Sequence, residues 1–183
     1  MVQPSDPHRV LGRPEAAQAD PGGCPGAGMT AGNAPGRLIA QGLSYGDIAV
    51  GDWYETGAVA VTEQMIESFA ELTGDRFEIH MSVAGAQRHG FQARVAHGLL
   101  VLSLVDGLKN QAQAGFRAIA SLGWDWTFAA PVVAGDEIRA RIVVAGKRET
   151  RNAARGILAL RFVVTNQRGE TVQSGDNKLM VYR

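Results

Sequence analysis

The sequence predicts an α+β protein in which one antiparallel sheet wraps around a single apolar helix. Three observations carry this expectation. The elements run strand, helix, irregular polar stretch, second helix and then four or five strands in succession, which is not the strand–helix alternation of a parallel sheet. Residues 99–108 are apolar on nearly all sides, a composition that suits a helix enclosed by other elements. The strand-like runs that follow are separated by short turn sequences, so consecutive strands pair antiparallel.

Each element has a local cause. Tyr45-Gly46-Asp47-Ile48 and Val50-Gly51-Asp52 read as turn-flanked pieces leading into the alternating run Ala58-Val59-Ala60-Val61, a strand. Thr62 is placed to cap a helix with Glu63 in its first turn and Met65, Ile66, Phe69, Ala70 and Leu72 or Thr73 at helical spacing; Gly74 ends it. From Asp75 to His97 the chain is polar and rich in Arg and His, with a short helical candidate beginning at Ser82. His97-Gly98 then opens the apolar helix, whose far end runs into Lys109-Asn110-Gln111. Strands are expected over 119–122, 124–128, 138–144, 156–165 and 171–181, with turns at Ala134-Gly135-Asp136 and Gln167-Arg168-Gly169-Glu170. Trp124 and Trp126 alternate, so both point to one face, as core or dimer-contact residues rather than a ligand platform.

Composition excludes several functions. The 183 residues carry 18 basic and 18 acidic side chains and no basic run, so the electrostatic footprint of a nucleic-acid partner is missing. The lone Cys24 cannot form an internal disulfide or a thiolate metal cluster, and the cytoplasm is the expected location. No stretch approaches the roughly 18 to 20 apolar residues of a membrane span, and the N-terminus has no signal-peptide core, so no membrane partner is expected. Six of the seven prolines fall within residues 1–36, which read as a disordered Pro/Gly-rich tail with little apolar surface to offset the entropy of ordering. Residues 37–183 remain for a single domain, long enough to bury about 68% of its unfolded surface.

Candidate chemistry concentrates in the irregular stretch, which holds three of the four histidines. Asp75 follows a helix stop and His80 comes five residues later, so a short turn can aim both at one spot. A carboxylate beside an imidazole is a sensible acid/base pair, able to hold a water and take its proton. The alternative is a turn aspartate and a satisfied histidine. At Gly98 the unpaired N–H groups of a helix start carry positive potential, and a glycine admits a ligand carbonyl closely enough to accept from its N–H. Here the alternative is that His97 caps the helix and Gly98 only packs closely.

The run Phe69-Ala70-Glu71-Leu72-Thr73-Gly74-Asp75, then Ile79-His80, Phe91, Val95-Ala96-His97-Gly98-Leu99-Leu100 and Leu102-Ser103-Leu104 resembles the hydratase motif of the MaoC-like, (R)-specific enoyl-CoA hydratases. The downstream Gly123-Trp124-Asp125-Trp126-Thr127-Phe128, Pro131 and Gly135-Asp136 are also similar, so the likeness covers about residues 44–183. The resemblance implies a hot-dog fold, an antiparallel sheet around a long central helix, assembled as a homodimer or higher homo-oligomer. It implies that Asp75 and His80 activate a water for addition to the β-carbon of a trans-2-enoyl-CoA, giving an (R)-3-hydroxyacyl-CoA, and that Gly98 N–H receives the thioester carbonyl. It places Phe91, His97, Ser103 and Arg94 as candidate substrate contacts. The acyl-CoA is then substrate, and no metal or other cofactor is implied.

Three departures fall in the loop that would hold the acyl chain. Phe77-Glu78 stands where many members carry Asn-Pro, Ser82-Val83 replaces a frequent Asp-Pro, and Phe91-Gln92 replaces Phe-Gly. They leave the acid/base pair and the oxyanion donor in place. His89 and Arg94 are either contacts for CoA phosphates or solvated surface charges, and Glu78 is either a pocket group or an exposed loop charge. Rival readings of the whole are a hot-dog acyl-CoA thioesterase, with water directed at the carbonyl carbon, and a non-catalytic acyl-thioester-binding subunit.

Overall fold

A computed structural model describes residues 36–183. The tail expected over 1–36, Cys24 included, lies outside the described residues but for Gly36. After a 3-10 turn at Tyr45–Asp47 the elements are β1 (Trp53–Glu55), β2 (Val59–Ala60), α1 (Glu63–Thr73), α2 (Glu78–Met81), α3 (Val83–Arg88), α4 (Gly98–Gln111), β3 (Ala118–Phe128), β4 (Glu137–Glu149), β5 (Arg155–Asn166) and β6 (Thr171–Tyr182). The strands form one sheet in the order β1-β4-β5-β6-β3, with β2 also paired to β4, and every pairing is antiparallel.

Sequence and geometry agree at the element ends. Thr62 Oγ1 accepts from Met65 N–H at 3.2 Å to start α1, and Gly74, at φ 78°, ends it with its N–H on Ala70 O. A left-handed cap of that kind favours glycine. Ser82 Oγ accepts from Gly85 N–H at 2.9 Å, so the helical candidate at Ser82 is α3, while α2 and β1 are elements the sequence reading does not contain. Both are four residues or shorter, too brief to establish a period. The two expected strands 119–122 and 124–128 are one strand, β3, which passes Gly123 through a register shift opposite β6. The strand expected at Ala58–Val61 shrinks to Val59–Ala60, and β4 continues past Val144 to Glu149.

The core lies between α4 and one face of the sheet. Leu100, Val101 and Val105 of α4 join Ile138, Ala140, Ile142 and Val144 of β4 and Leu158, Leu160, Phe162 and Val164 of β5. Burial of each large aliphatic side chain contributes roughly 1.5–3 kcal/mol before entropy is counted. Helix α4 is not enclosed on all sides within this chain: Leu99 is 58% exposed, because residues one turn apart face the sheet and the intervening ones do not. Trp124 and Trp126 both pack against Phe162, as their alternation predicts. Among the described residues no helix is long and apolar enough to cross a membrane.

Candidate active site

The glycine cap of α1 releases the chain at Asp75, whose Oδ1 accepts from Phe77 N–H at 3.2 Å. This side-chain turn leads directly into α2, which carries His80. His80 is 8% exposed and fixed from three directions. Its Nδ1–H donates to Val95 O at 2.7 Å, since a carbonyl can only accept, and Nε2 is thereby left as the free lone pair. Its backbone carbonyl accepts from Arg94 Nε–H at 2.9 Å. Its ring stacks on His97 with centroids 3.8 Å apart and planes 26° from parallel.

His97 stands behind this pair, 2% exposed or less, at the N-cap of α4. Its Nε2–H donates to Asp75 O at 2.9 Å, while Nδ1 is buried and unpartnered among the described residues. The structure thus brings Asp75, His80 and His97 together, one carboxylate or ring atom of each within 4.8 Å of the others. These three are the grouping among the described residues compact enough to hold a metal ion. Two ring nitrogens already donate to carbonyls, which leaves one lone pair on each ring. A free imidazole lone pair beside a carboxylate is able to take up a proton.

Burial, reinforced by the neighbouring His97, holds the His80 imidazole below the ordinary histidine value of 6.5, although its bond to Val95 O and the Asp75 carboxylate act in the opposite direction. His80 is therefore neutral at pH 7 and able to accept a proton.

A cavity of about 280 Å³ opens beside His80. Its walls come from α2 (Ile79, His80), the segment before α4 (Phe91, Val95, Ala96), α4 itself (Gly98, Val101), the end of β3 with the following loop (Phe128, Ala129, Ala130, Pro131, Val132) and Gln173 of β6. A Cβ built on Gly98 would lie 2.7 Å from the Phe128 ring, so only glycine leaves this corner open without a shift. Asp75 is exposed and stands at the side of His80, off the cavity wall.

The remaining candidates separate. Phe91 lines the cavity. Arg94 does not: it is 8% exposed, and its guanidinium meets Glu67 at 3.1 Å and Glu63 at 3.7 Å, so it ties α1 to His80 instead of facing CoA phosphates. Ser103 Oγ donates to Leu99 O within α4, and the residue borders a separate hollow with Val59 and Leu104. Its helical position turns it away from the cavity. Glu78 accepts from both Arg88 and His89 in an exposed cluster, outside the cavity. Gln173, 2% exposed, is a polar wall residue that the sequence does not reveal, because a lone amide within a strand carries no pattern.

The family model of the MaoC like domain matches residues 48–164. An (R)-specific enoyl-CoA hydratase of Aeromonas caviae is 35% identical over 89 residues, which cover 49% of this chain and 66% of that protein. A 3-hydroxybutyryl-CoA dehydratase of Methylorubrum extorquens is 34% identical over 106 residues, 55% of this chain and 67% of the relative. The match to protein MaoC of Klebsiella aerogenes, 37% identical over 58% of this chain, spans only 31% of that longer relative. Among solved structures, a MaoC-like dehydratase from Rhodospirillum rubrum superposes with a TM-score of 0.71 at 26% identity, covering 78% of this chain and 98% of the other. A Mycobacterium tuberculosis protein with a double hot-dog fold gives a TM-score of 0.68 at 21% identity, over 77% of this chain and 44% of the other, a likeness of fold alone. The sheet packed on α4 is accordingly a hot-dog fold, and the chain belongs to the MaoC-like dehydratase domain family.

Proposed function

We infer that this chain is a hydratase/dehydratase that adds water reversibly to a trans-2-enoyl-CoA to give an (R)-3-hydroxyacyl-CoA. The observation that supports the reading is a neutral, three-way-anchored His80 on the wall of a mostly apolar cavity that also contains the first residue of α4, with an Asp75 carboxylate oxygen within 4.8 Å of a ring nitrogen at its side. In the forward direction the Asp75 carboxylate and the His80 Nε2 lone pair hold a water. Its oxygen bonds to the β-carbon while one of its protons passes to the pair. The π electrons move toward the thioester carbonyl, and the oxyanion is met by Gly98 N–H, an unpaired first-turn donor. Return of a proton to the α-carbon completes the addition. Such an oxyanion donor is typically worth ~10²–10³ in rate, and positioned acid/base groups roughly 10²–10⁴.

The names of the relatives support the same reaction class. The apolar walls suit an acyl chain, and the CoA thioester is substrate, with no resident cofactor in the scheme. The test is an assay of enoyl-CoA with a thiol reagent present. Loss of the conjugated absorbance without free thiol is the expected result; release of CoA thiol would instead establish a thioesterase.

The assembly belongs to the same proposal. Strand β3 ends the sheet, is eleven residues long and leaves Leu122 46% and Phe128 54% exposed. An uncovered apolar edge of that length invites pairing with a second copy, so a homodimer joined at β3 is the assembly we propose.

A further inference from the structure

We propose that Gln173 and Trp126 are positioning residues that hold the proposed oxyanion donor, Gly98, in register with the sheet. The inference rests on the hydratase reading for its catalytic meaning, while the link itself is a matter of structure.

Gly175 lies opposite Trp126 in the β3–β6 pairing, and a Cβ there would fall 2.5 Å from the indole. The glycine therefore lets the Trp126 ring lie against β6. In that place the indole Nε1–H donates to Gln173 Oε1 at 2.8 Å. Gln173 Nε2–H in turn donates to Gly98 O at 3.0 Å. The direction of this relay is fixed by chemistry, because an indole nitrogen can only donate and a carbonyl can only accept. One of the two amide orientations satisfies both ends; the other satisfies neither. Gln173 is 2% exposed and lines the cavity, so water has little access to substitute for either bond.

The consequence is mechanical. The first residue of α4 is pinned from the sheet side through its carbonyl, and Phe128, paired with Gln173 across the strands, closes over the same glycine. A donor must sit where charge develops, and a displacement on the order of 1 Å costs about a hundredfold in rate. The relay removes the freedom of α4 to slide or tilt at its catalytic end.

The test uses the full chain and three variants, Gln173→Met, Gln173→Glu and Trp126→Phe, each checked for native circular dichroism. Gln173→Met keeps the volume and loses both bonds. Its kcat for enoyl-CoA hydration is expected to fall about tenfold to a hundredfold, with KM changed by less than about threefold, as for an interaction realised in the transition state. Gln173→Glu puts a second acceptor against Gly98 O and regains a donor only when the buried carboxyl is protonated. Its activity relative to wild type should therefore climb as pH falls, a response that a merely structural role would not produce. Trp126→Phe should show a smaller loss of kcat and serves if Gln173→Met does not fold. Independently of turnover, the carbonyl carbon resonance of Gly98 should move in Gln173→Met. An unmoved Gly98 resonance, or a folded Gln173→Met with kcat within about twofold of wild type, would overturn the proposal. Absence of turnover in the wild-type protein would overturn the hydratase reading instead, and the Gly98 resonance would then decide the link alone.

Discussion

At the scale of single residues the proposed chemistry depends on which proton sits where. His80 Nδ1 gives its hydrogen to Val95 O, so Nε2 carries the free lone pair that the proposed reaction uses, and burial, by lowering the imidazole pKa, favours its unprotonated form. Replacing His80 by Ala or Asp75 by Asn should lower kcat by roughly 10²–10⁴, measured as enoyl-CoA hydration, while the melting temperature shifts little for the exposed Asp75. Unchanged turnover in both would remove the site assignment. The acidic limb of kcat/KM should fall below 6.5, because protonation of the free enzyme's base is deferred to lower pH. The same group links to stability. The unfolded chain binds the proton first as pH falls, so the stability present above 6.5 is progressively lost as pH descends through that value toward the folded one. Gly98→Ala would thrust a methyl group at Phe128, whose ring is half exposed and can move, and kcat/KM should drop by about tenfold or more through misplacement of the thioester.

At the scale of elements, the site is set by helix ends and turns. The stop at Gly74 delivers Asp75, the N-cap of α4 delivers His97 and Gly98, and Arg94 clamps α1 to α2. A side chain at Gly74 must adopt φ 78°, so Gly74→Ala should cost about 1 kcal/mol in denaturant unfolding and lower kcat by displacing Asp75. A second joint lies away from the site. Asp136 is 3% exposed and accepts from Val133 N–H and Arg168 at 3.0 Å and from Gln167 at 2.7 Å, joining the turn before β4 to the β5–β6 hairpin. Burial tends to raise its pKa, but these three donors outweigh it and hold the carboxyl below 3.8. Its contribution is present above that value and lost as pH falls through the lower folded value. Asp136→Ala should cost about 2 kcal/mol at neutral pH, read by chemical denaturation, with the difference from wild type narrowing in strong acid. These joints explain what could be read from the sequence. Thr62, Gly74 and Ser82 act on their own neighbours, so capping preferences reveal them. Arg94 and Gln173 act on residues 14 to 75 positions away, and no local pattern encodes such partners.

At the scale of the whole molecule, the hydrophobic pattern was enough for the class of fold. Strand β4 alternates buried and exposed residues along most of its length and α4 gathers its buried residues at one-turn spacing, and periodicity reports that directly. It did not report which side of α4 stays open. Leu99 reads as core by composition, yet it faces outward within one chain, because composition cannot separate burial by the same chain from burial by another. The proposed β3 pairing belongs to this scale. Light scattering of the purified protein should give twice the chain mass, and a charged substitution at Leu122 on the exposed edge should shift the mass toward that of one chain; a monomeric wild type would contradict the pairing. The reactive grouping was legible for a different reason. Asp75, His80 and His97 lie within one short stretch, so three-dimensional proximity has a trace in sequence spacing, whereas Ser103 and Arg94 share that neighbourhood in sequence and are turned elsewhere by the helix and by Glu67.

The central claim is that this site directs water to the β-carbon of an enoyl thioester. Incubation of a trans-2-enoyl-CoA with the wild-type protein in heavy-oxygen water, followed by chiral separation and mass spectrometry of the products, tests it most directly. The expected product is an intact 3-hydroxyacyl-CoA of R configuration with one heavy oxygen on the β-carbon. Heavy oxygen in the carboxyl group of a free acid, or an acyl-CoA recovered without label, would contradict it.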